Sequence, residues 1–188
     1  MLRKLKKTKE IVGDLNNECR VIWFTGLSGA GKTTLVTEYQ KYLISKNINS
    51  RILDGDELRK GLNSGLGFTD NDRKENIRRA AEVAKLFSES NFIVLCSFIT
   101  PKNDMRDLAR SIVGDKNYFE IFVECSLEEC ERRDVKGLYK KVRDAKITDF
   151  TGISSDFEIP KSPNLVINTE KNDLQTCIKI LKKSIRIY

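Results

Sequence analysis

Five short, nearly continuous apolar runs punctuate the chain: "RVIWFT" from Arg20, "RIL" from Arg51, "FIVLCSF" from Phe92, "YFEIFV" from Tyr118 and "LVIN" from Leu165. Runs without polar alternation predict strands covered on both faces, as in a parallel sheet. Between them the period changes. Leu35, Tyr39, Tyr42 and Leu43 recur at helical spacing over 32–47, as do Ile77, Ala80, Ala81, Ala84 and Phe87 over 76–90. "SLEEC" at Ser126 has the Ser-x-x-Glu form of a capping box, in which Ser126 and Glu129 satisfy the first amides of a helix running through "ERRD". A last helix is expected over 173–185. Strands alternating with helices predict an α/β fold, a three-layer sandwich with a five-stranded parallel sheet flanked by helices. Three stretches follow neither period: 61–72, 136–156 and the first fifteen or so residues. Irregular segments of that length in a compact domain are expected to be lids or binding loops.

Composition narrows the class. The 188 residues are 39% hydrophobic and 32% charged, with three prolines and no low-complexity tract, which predicts one globular domain over 1–188. No apolar stretch approaches the roughly 20 residues of a membrane helix, and the basic leader, 1–18, runs into no signal-type segment. Five scattered cysteines, an odd number, predict free thiols in a reducing, cytoplasmic setting. Cys125 and Cys130 lack both zinc-ligand spacing and a histidine partner. The chain has no histidine at all, so any proton acceptor must be a carboxylate or water. The net charge of +7 favours anionic partners without choosing among them. The excess lies in the leader and in a basic region over 132–156, with no recognised nucleic-acid-reading module.

Chemistry enters with "GLSGAGKTT". Gly26, Gly31, Lys32 and Thr33 match G-x-x-x-x-G-K-[ST], a P-loop, between a predicted strand and a predicted helix. Glycines let successive N–H groups turn inward as an anion nest that continues into the positive end of the helix. Lys32 would reach the β- and γ-phosphates, and the Thr33 hydroxyl would bind Mg²⁺. The apolar run that ends in Ser97 and Phe98 carries no acid there. The acids follow the short second run instead, as Asp54 and Asp56 around Gly55. That placement suits a small-molecule kinase, in which Asp56 orients an acceptor hydroxyl and takes its proton late. Taken alone, Asp-Gly-Asp reads equally well as a turn with a helix cap. "FTDNDRKENIRR" sets Arg73, Asn76 and Arg79 on one helical face and Lys74, Ile77 and Arg78 on another. "RRDVKGLYKKVRDAK" reads as a helix broken at Gly137, either solvated or a cationic lid over transferring phosphate.

These residues together resemble one family. "FTGLSGAGKTT", "LDGDELRKGLN", "LGFTDNDRKENIRR", "SFITP", "RDVKGLYKKVR" and "FTGI" are similar, in order, to the blocks of the adenylylsulfate kinases, from Arg20 to Thr169. The resemblance implies transfer of the γ-phosphoryl of ATP to the 3′-hydroxyl of adenosine 5′-phosphosulfate, with Mg²⁺, in sulfate assimilation, commonly by a homodimer. It implies that Gly29, Ala30, Gly31, Lys32, Thr33 and Thr34 hold the ATP phosphates, with Arg133 near the ATP base and Thr33 and Asp54 at the metal. Lys32 and Asp56 are the catalytic residues it implies. Asp56, Arg59, Phe68, Arg73, Asn76, Ile99, Thr100, Lys136, Phe150 and Thr151 match positions that contact the adenylylsulfate, with Phe68 and Phe150 suited to stack on adenine. The chain departs from the family pattern at Thr100, often serine, at Lys60, often histidine or glutamine, and at "SSDFEIP", where a tyrosine-containing "YEAP" block is usual. Two rival expectations are a P-loop kinase of another small alcohol and a non-catalytic nucleotide-binding partner.

Overall fold

Along the central strand, successive side chains enter different cores. In a computed structural model of the chain, which describes residues 19–185, β1 (Val21–Thr25) is wholly buried. Ile22 and Phe24 pack into one apolar cluster, and Val21 and Trp23 into the other. The first cluster takes Leu35, Tyr39 and Leu43 from α1 (Lys32–Ser45) and Cys177, Ile178 and Leu181 from α7 (Leu174–Ser184). The second takes Ile77, Ala80, Ala81 and Ala84 from α3 (Asp70–Glu89) and Met105 and Ala109 from α4 (Asn103–Val113). Each fully buried large side chain contributes about 1.5–3 kcal/mol, so a two-sided core rather than helix propensity holds the layers together.

The sheet is five-stranded and parallel, in the order β2 (Ser50–Asp54), β3 (Ile93–Ser97), β1, β4 (Tyr118–Glu124), β5 (Leu165–Asn168). Short helices α2 (Gly55–Lys60), α5 (Leu127–Arg133) and α6 (Leu138–Arg143) complete it. The expected sandwich is therefore observed, with the topology of a P-loop NTPase. The carboxyl ends of the strands meet at one edge: Asp54 lies opposite Ser97, and Ser97 opposite Phe24. In open α/β sheets that edge is where ligands bind.

Several boundaries differ from the expected ones. The second helix expected from residue 76 begins at Asp70, because Thr69 caps it, accepting from the Asp72 amide at 3.2 Å while its hydroxyl donates to the Asp72 carboxylate at 2.7 Å. The broken basic helix is two helices, α5 and α6, joined through a turn in which Gly137 has φ +62°. Ser126 caps α5 as its sequence predicts, accepting from the Glu129 amide, but the reciprocal half of the box is not made: the Ser126 amide donates to Glu170 at 3.0 Å, and Arg132 and Arg133 hold the Glu129 carboxylate. The leader over 1–18 lies outside the described residues. Among those described, no helix is long and apolar enough to cross a membrane.

Candidate active site

The loop after β1 is shaped by contacts that only glycine admits. A Cβ on Gly26 would lie 2.5 Å from the Val123 carbonyl oxygen, and Gly26 adopts φ +151°. Gly29, at φ +79°, rides over the Cys130 carbonyl. Gly31 caps α1 at φ +93° with no side-chain hydrogen bond, so the first amides of α1 open toward the loop rather than onto a capping side chain. Lys32 is 8% exposed and curls into the same loop, donating to the carbonyls of Gly26 at 2.9 Å and Leu27 at 2.7 Å. Burial, with the nearby Lys136 ammonium adding to it, lowers the Lys32 pKa to about 8. Ala30 accepts from the Thr169 hydroxyl at 2.8 Å. Arg133 in turn grips Thr169 through its hydroxyl and its carbonyl, at 3.2 and 2.8 Å, and Glu129 at 2.8 Å. Arg133 thus braces the far side of the loop, while Thr34 is exposed on the first turn of α1.

Beside the loop, oxygen donors gather. The Thr33 hydroxyl donates to Asp54 Oδ2 at 2.9 Å and lies 3.3 Å from Ser97 Oγ. Strand register explains the meeting, since β2 and β3 end side by side on Asp54 and Ser97. Asp54 also caps α2 through Oδ1, accepting from the Asp56 amide at 2.9 Å. Asp-Gly-Asp is therefore both a helix cap and part of the site, and the two readings of it are not exclusive. A hydroxyl and a carboxylate suit a hard, oxygen-seeking cation such as Mg²⁺, which keeps several water and phosphate ligands. Among the described residues no three acidic, histidine or cysteine side chains cluster as an all-protein cage. Ser97 was not among the expected site residues; the register of two adjacent strand ends is the signal for it.

On the other side of α2 the cations take over. Asp56 forms an ion pair with Lys136, from the turn between α5 and α6. Arg59 donates to the carbonyls of Leu66 and Gly67 at 3.0 and 2.9 Å, and its guanidinium lies 4.4 Å above the Phe68 ring. Arg73 is 8% exposed, donates to the Phe68 carbonyl at 2.7 Å, the Thr151 hydroxyl at 2.7 Å and the Asp149 carbonyl, and approaches the same ring at 5.7 Å. Phe68 itself is 57% exposed, a flat face held by two guanidiniums. Burial lowers the pKa of both arginines below the usual guanidinium value, and at Arg59 the charge of Arg73 adds to it. Asn76 accepts from the buried Asn63 amide at 2.8 Å. Arg73 and Asn76 therefore share the inward face of α3, and Lys74 and Arg78 face solvent.

Phe150 packs edge-on against Tyr139, with ring centroids 4.9 Å apart. Ile99 is half-buried beside the loop, its carbonyl accepting from the Thr25 hydroxyl at 2.7 Å. Thr100 stands apart from the others. Its hydroxyl turns into the core, accepting from the Trp23 indole at 2.9 Å, and its backbone adopts φ +43°, a strained state for a β-branched residue.

An anion-binding loop, an oxygen-donor pair and a carboxylate at the carboxyl edge of a parallel sheet define a P-loop kinase of a small molecule. The profile of the adenylylsulphate kinase family matches residues 18–168, and the chain belongs to that family. An adenylyl-sulfate kinase of Bacteroides thetaiotaomicron is 50% identical over 161 residues, 86% of this chain and 80% of the relative. One from Clostridium kluyveri is 50% identical over 162 residues, 86% of this chain and 81% of the relative. Among solved structures, the Mycobacterium tuberculosis APS kinase in complex with AMPPNP and APS superposes with a TM-score of 0.83 at 41% identity, covering 87% of this chain and 96% of that one.

Proposed function

We propose that the site transfers the γ-phosphoryl of ATP to the 3′-hydroxyl of adenosine 5′-phosphosulfate, giving 3′-phosphoadenosine 5′-phosphosulfate and ADP. The observation that carries this is the position of Asp56. Its amide donates to Asp54 Oδ1 at 2.9 Å, beside the donor-loop hydroxyl of Thr33, its carboxylate pairs with Lys136, and the same short helix carries Arg59 against the Phe68 ring, so Asp56 lies between the donor loop and the aromatic platform. Gly29 to Thr34 hold the triphosphate through backbone amides, and Lys32 leaves the Gly26 and Leu27 carbonyls to meet the β- and γ-oxygens. Thr33 and Asp54 would hold Mg²⁺, which would supply positive charge against the phosphate oxygens. Phe68 and Phe150 flank the adenine of the acceptor, and Arg59, Arg73, Asn76, Ile99 and Thr151 line its path, whereas Thr100, its hydroxyl turned onto Trp23, supports that wall from the core. Lys136 exchanges Asp56 for the anionic substrates, which frees Asp56 to aim the hydroxyl and accept its proton as the loose transition state collapses. Arg133 stacks near the ATP base. A homodimer and a cytoplasmic setting complete the proposal; the four buried cysteines, Cys96, Cys125, Cys130 and Cys177, are thiols, in keeping with a reducing compartment.

Incubation with ATP, Mg²⁺ and adenylylsulfate, followed by mass spectrometry and NMR of the product, tests the reading, with sugars and nucleosides as rival acceptors. Phosphorylation at the 3′-oxygen is expected, and preference for another alcohol overturns it. Lys32→Ala should lose about 10²-fold or more in kcat. Asp56→Asn should lose about 10²–10⁴-fold in kcat with unchanged affinity for a non-hydrolysable ATP analogue. Light scattering of the intact chain reads its oligomeric state.

A further inference from the structure

We propose that Tyr139 is a positioning residue that couples donor binding to acceptor binding. This rests on the reading above and concerns a residue it does not use. Tyr139 lies on α6, is 1% exposed, and donates its hydroxyl to the Ser28 carbonyl at 2.9 Å. That carbonyl and the Gly29 N–H belong to one planar peptide, so fixing the oxygen fixes the direction of the N–H. Gly29 is in the phosphate loop, and a hydrogen bond at one end of an amide strengthens donation at the other. The tyrosine therefore aims and polarises an amide of the donor nest from behind.

The same side chain faces the acceptor. Its ring meets Phe150 at 75°, and the neighbouring Thr151 accepts from Arg73, whose Nε holds the Phe68 carbonyl. A third tie runs through Asp134, whose two carboxylate oxygens accept from the Tyr139 and Lys140 amides at 3.0 Å each. Asp134 thereby pins the start of α6 to the turn carrying Lys136, the residue paired with Asp56. The seam is not fully packed: a cavity of about 40 Å³ is lined by Ser28, Gly29, Asp134, Val135, Lys136 and Tyr139. A movement of the loop as it closes on phosphate would therefore pass through the Tyr139 ring to Phe150. Burial raises the phenol pKa well above its usual value, so the hydroxyl stays a donor at neutral pH.

The test is calorimetric binding of adenylylsulfate with and without a non-hydrolysable ATP analogue. In the wild-type protein the analogue should tighten adenylylsulfate binding by roughly 5–150-fold, and by reciprocity the reverse titration should give the same factor. Tyr139→Phe keeps the ring against Phe150 and loses only the hydroxyl. It should leave adenylylsulfate affinity in the absence of analogue unchanged and bring the coupling factor close to one. A merely structural tyrosine would lower the melting temperature or both affinities without changing their ratio. Tyr39→Phe is the control, because that buried hydroxyl has no partner among the described residues; it should leave coupling intact. Retained coupling in Tyr139→Phe, or no coupling in the wild type, overturns the inference while 3′-transfer by the wild type leaves the proposed function standing. If the wild type neither binds nor phosphorylates adenylylsulfate, both fall.

Discussion

Lys32 shows how one side chain is prepared by what surrounds it. In the structure its ammonium rests on two loop carbonyls away from the surface, and burial, then Lys136, lowers its pKa from 10.5 to about 8. Phosphate oxygens favour the charged form, so bound nucleotide retains a proton that the free enzyme loses above about pH 8. Affinity for an ATP analogue should then fall as pH rises past that point, by up to about tenfold per unit. Calorimetry in two buffers of unlike ionisation heat should find close to one proton taken up per analogue at about pH 9 and far less at about pH 7.5. Equal uptake at both would mean that Lys32 is not the titrating group. Lys136→Met should move the onset upward, since it removes a like charge. The stability sign is the opposite of a salt-bridged lysine: the folded value is depressed, so the penalty is full below about pH 8 and is relieved as pH rises toward the ordinary lysine range.

At the scale of elements, close approach decides more than propensity. β1 must be followed by a residue without a side chain because Val123 on the neighbouring strand brings its carbonyl to 2.5 Å of a Cβ at Gly26. Gly26→Ala should cost at least about 1–3 kcal/mol through backbone strain, and should weaken nucleotide binding beyond what lost stability explains, since the loop must tilt. Urea unfolding alongside analogue binding separates the two effects; a variant with unchanged urea midpoint and affinity would show that the loop has slack. Which elements were legible follows from the same physics. The strands could be read as apolar runs to within a residue or two; β1 and β3 are buried on both faces, whereas the edge strands β2 and β5 expose Arg51 and Val166 and showed only as shorter runs. α4 went unread although Met105, Leu108, Ala109, Ile112 and Val113 recur at helical spacing, a clear apolar stripe interrupted only by the buried Arg106. α2 and α6 have six residues each, too few to show a period. Of the site, the loop and Asp54 were visible as spacing, and Asp56 only in company. Ser97 and Tyr139 were not, since one depends on strand register and the other on a contact 111 residues away in sequence.

Across the whole molecule, the site edge is anchored from behind by one buried cation. Arg106 on α4 is 3% exposed and donates to Asn103 at 2.8 Å, to the Pro101 carbonyl at 3.2 Å and to the Glu158 carbonyl, and its guanidinium lies 5.3 Å over Phe157. Its Nε faces Glu120 of β4 at 3.7 Å, and Arg110 reaches the other oxygen of that carboxylate at 3.3 Å. Arg106 so joins the turn after β3, which carries Ile99 and Thr100, to the stretch that leads from the basic region back to β5. Desolvation outweighs both arginines at Glu120 and raises its pKa above the usual carboxylate value. Its contribution to stability is therefore present below the ordinary glutamate pKa and is lost as pH rises through the raised folded value. Arg106→Met removes a countercharge and leaves the carboxylate buried, which should cost about 3–5 kcal/mol at neutral pH. The variant's Glu120 should titrate higher still, so its deficit against the wild type should shrink on acidification toward the carboxylate range. Pairing it with Glu120→Leu should recover part of the loss, because no buried charge is then left without its counterion. Urea midpoints of the three proteins at two pH values decide the matter, and a deficit that is the same at both would assign Arg106 a role in tethering the two loops alone.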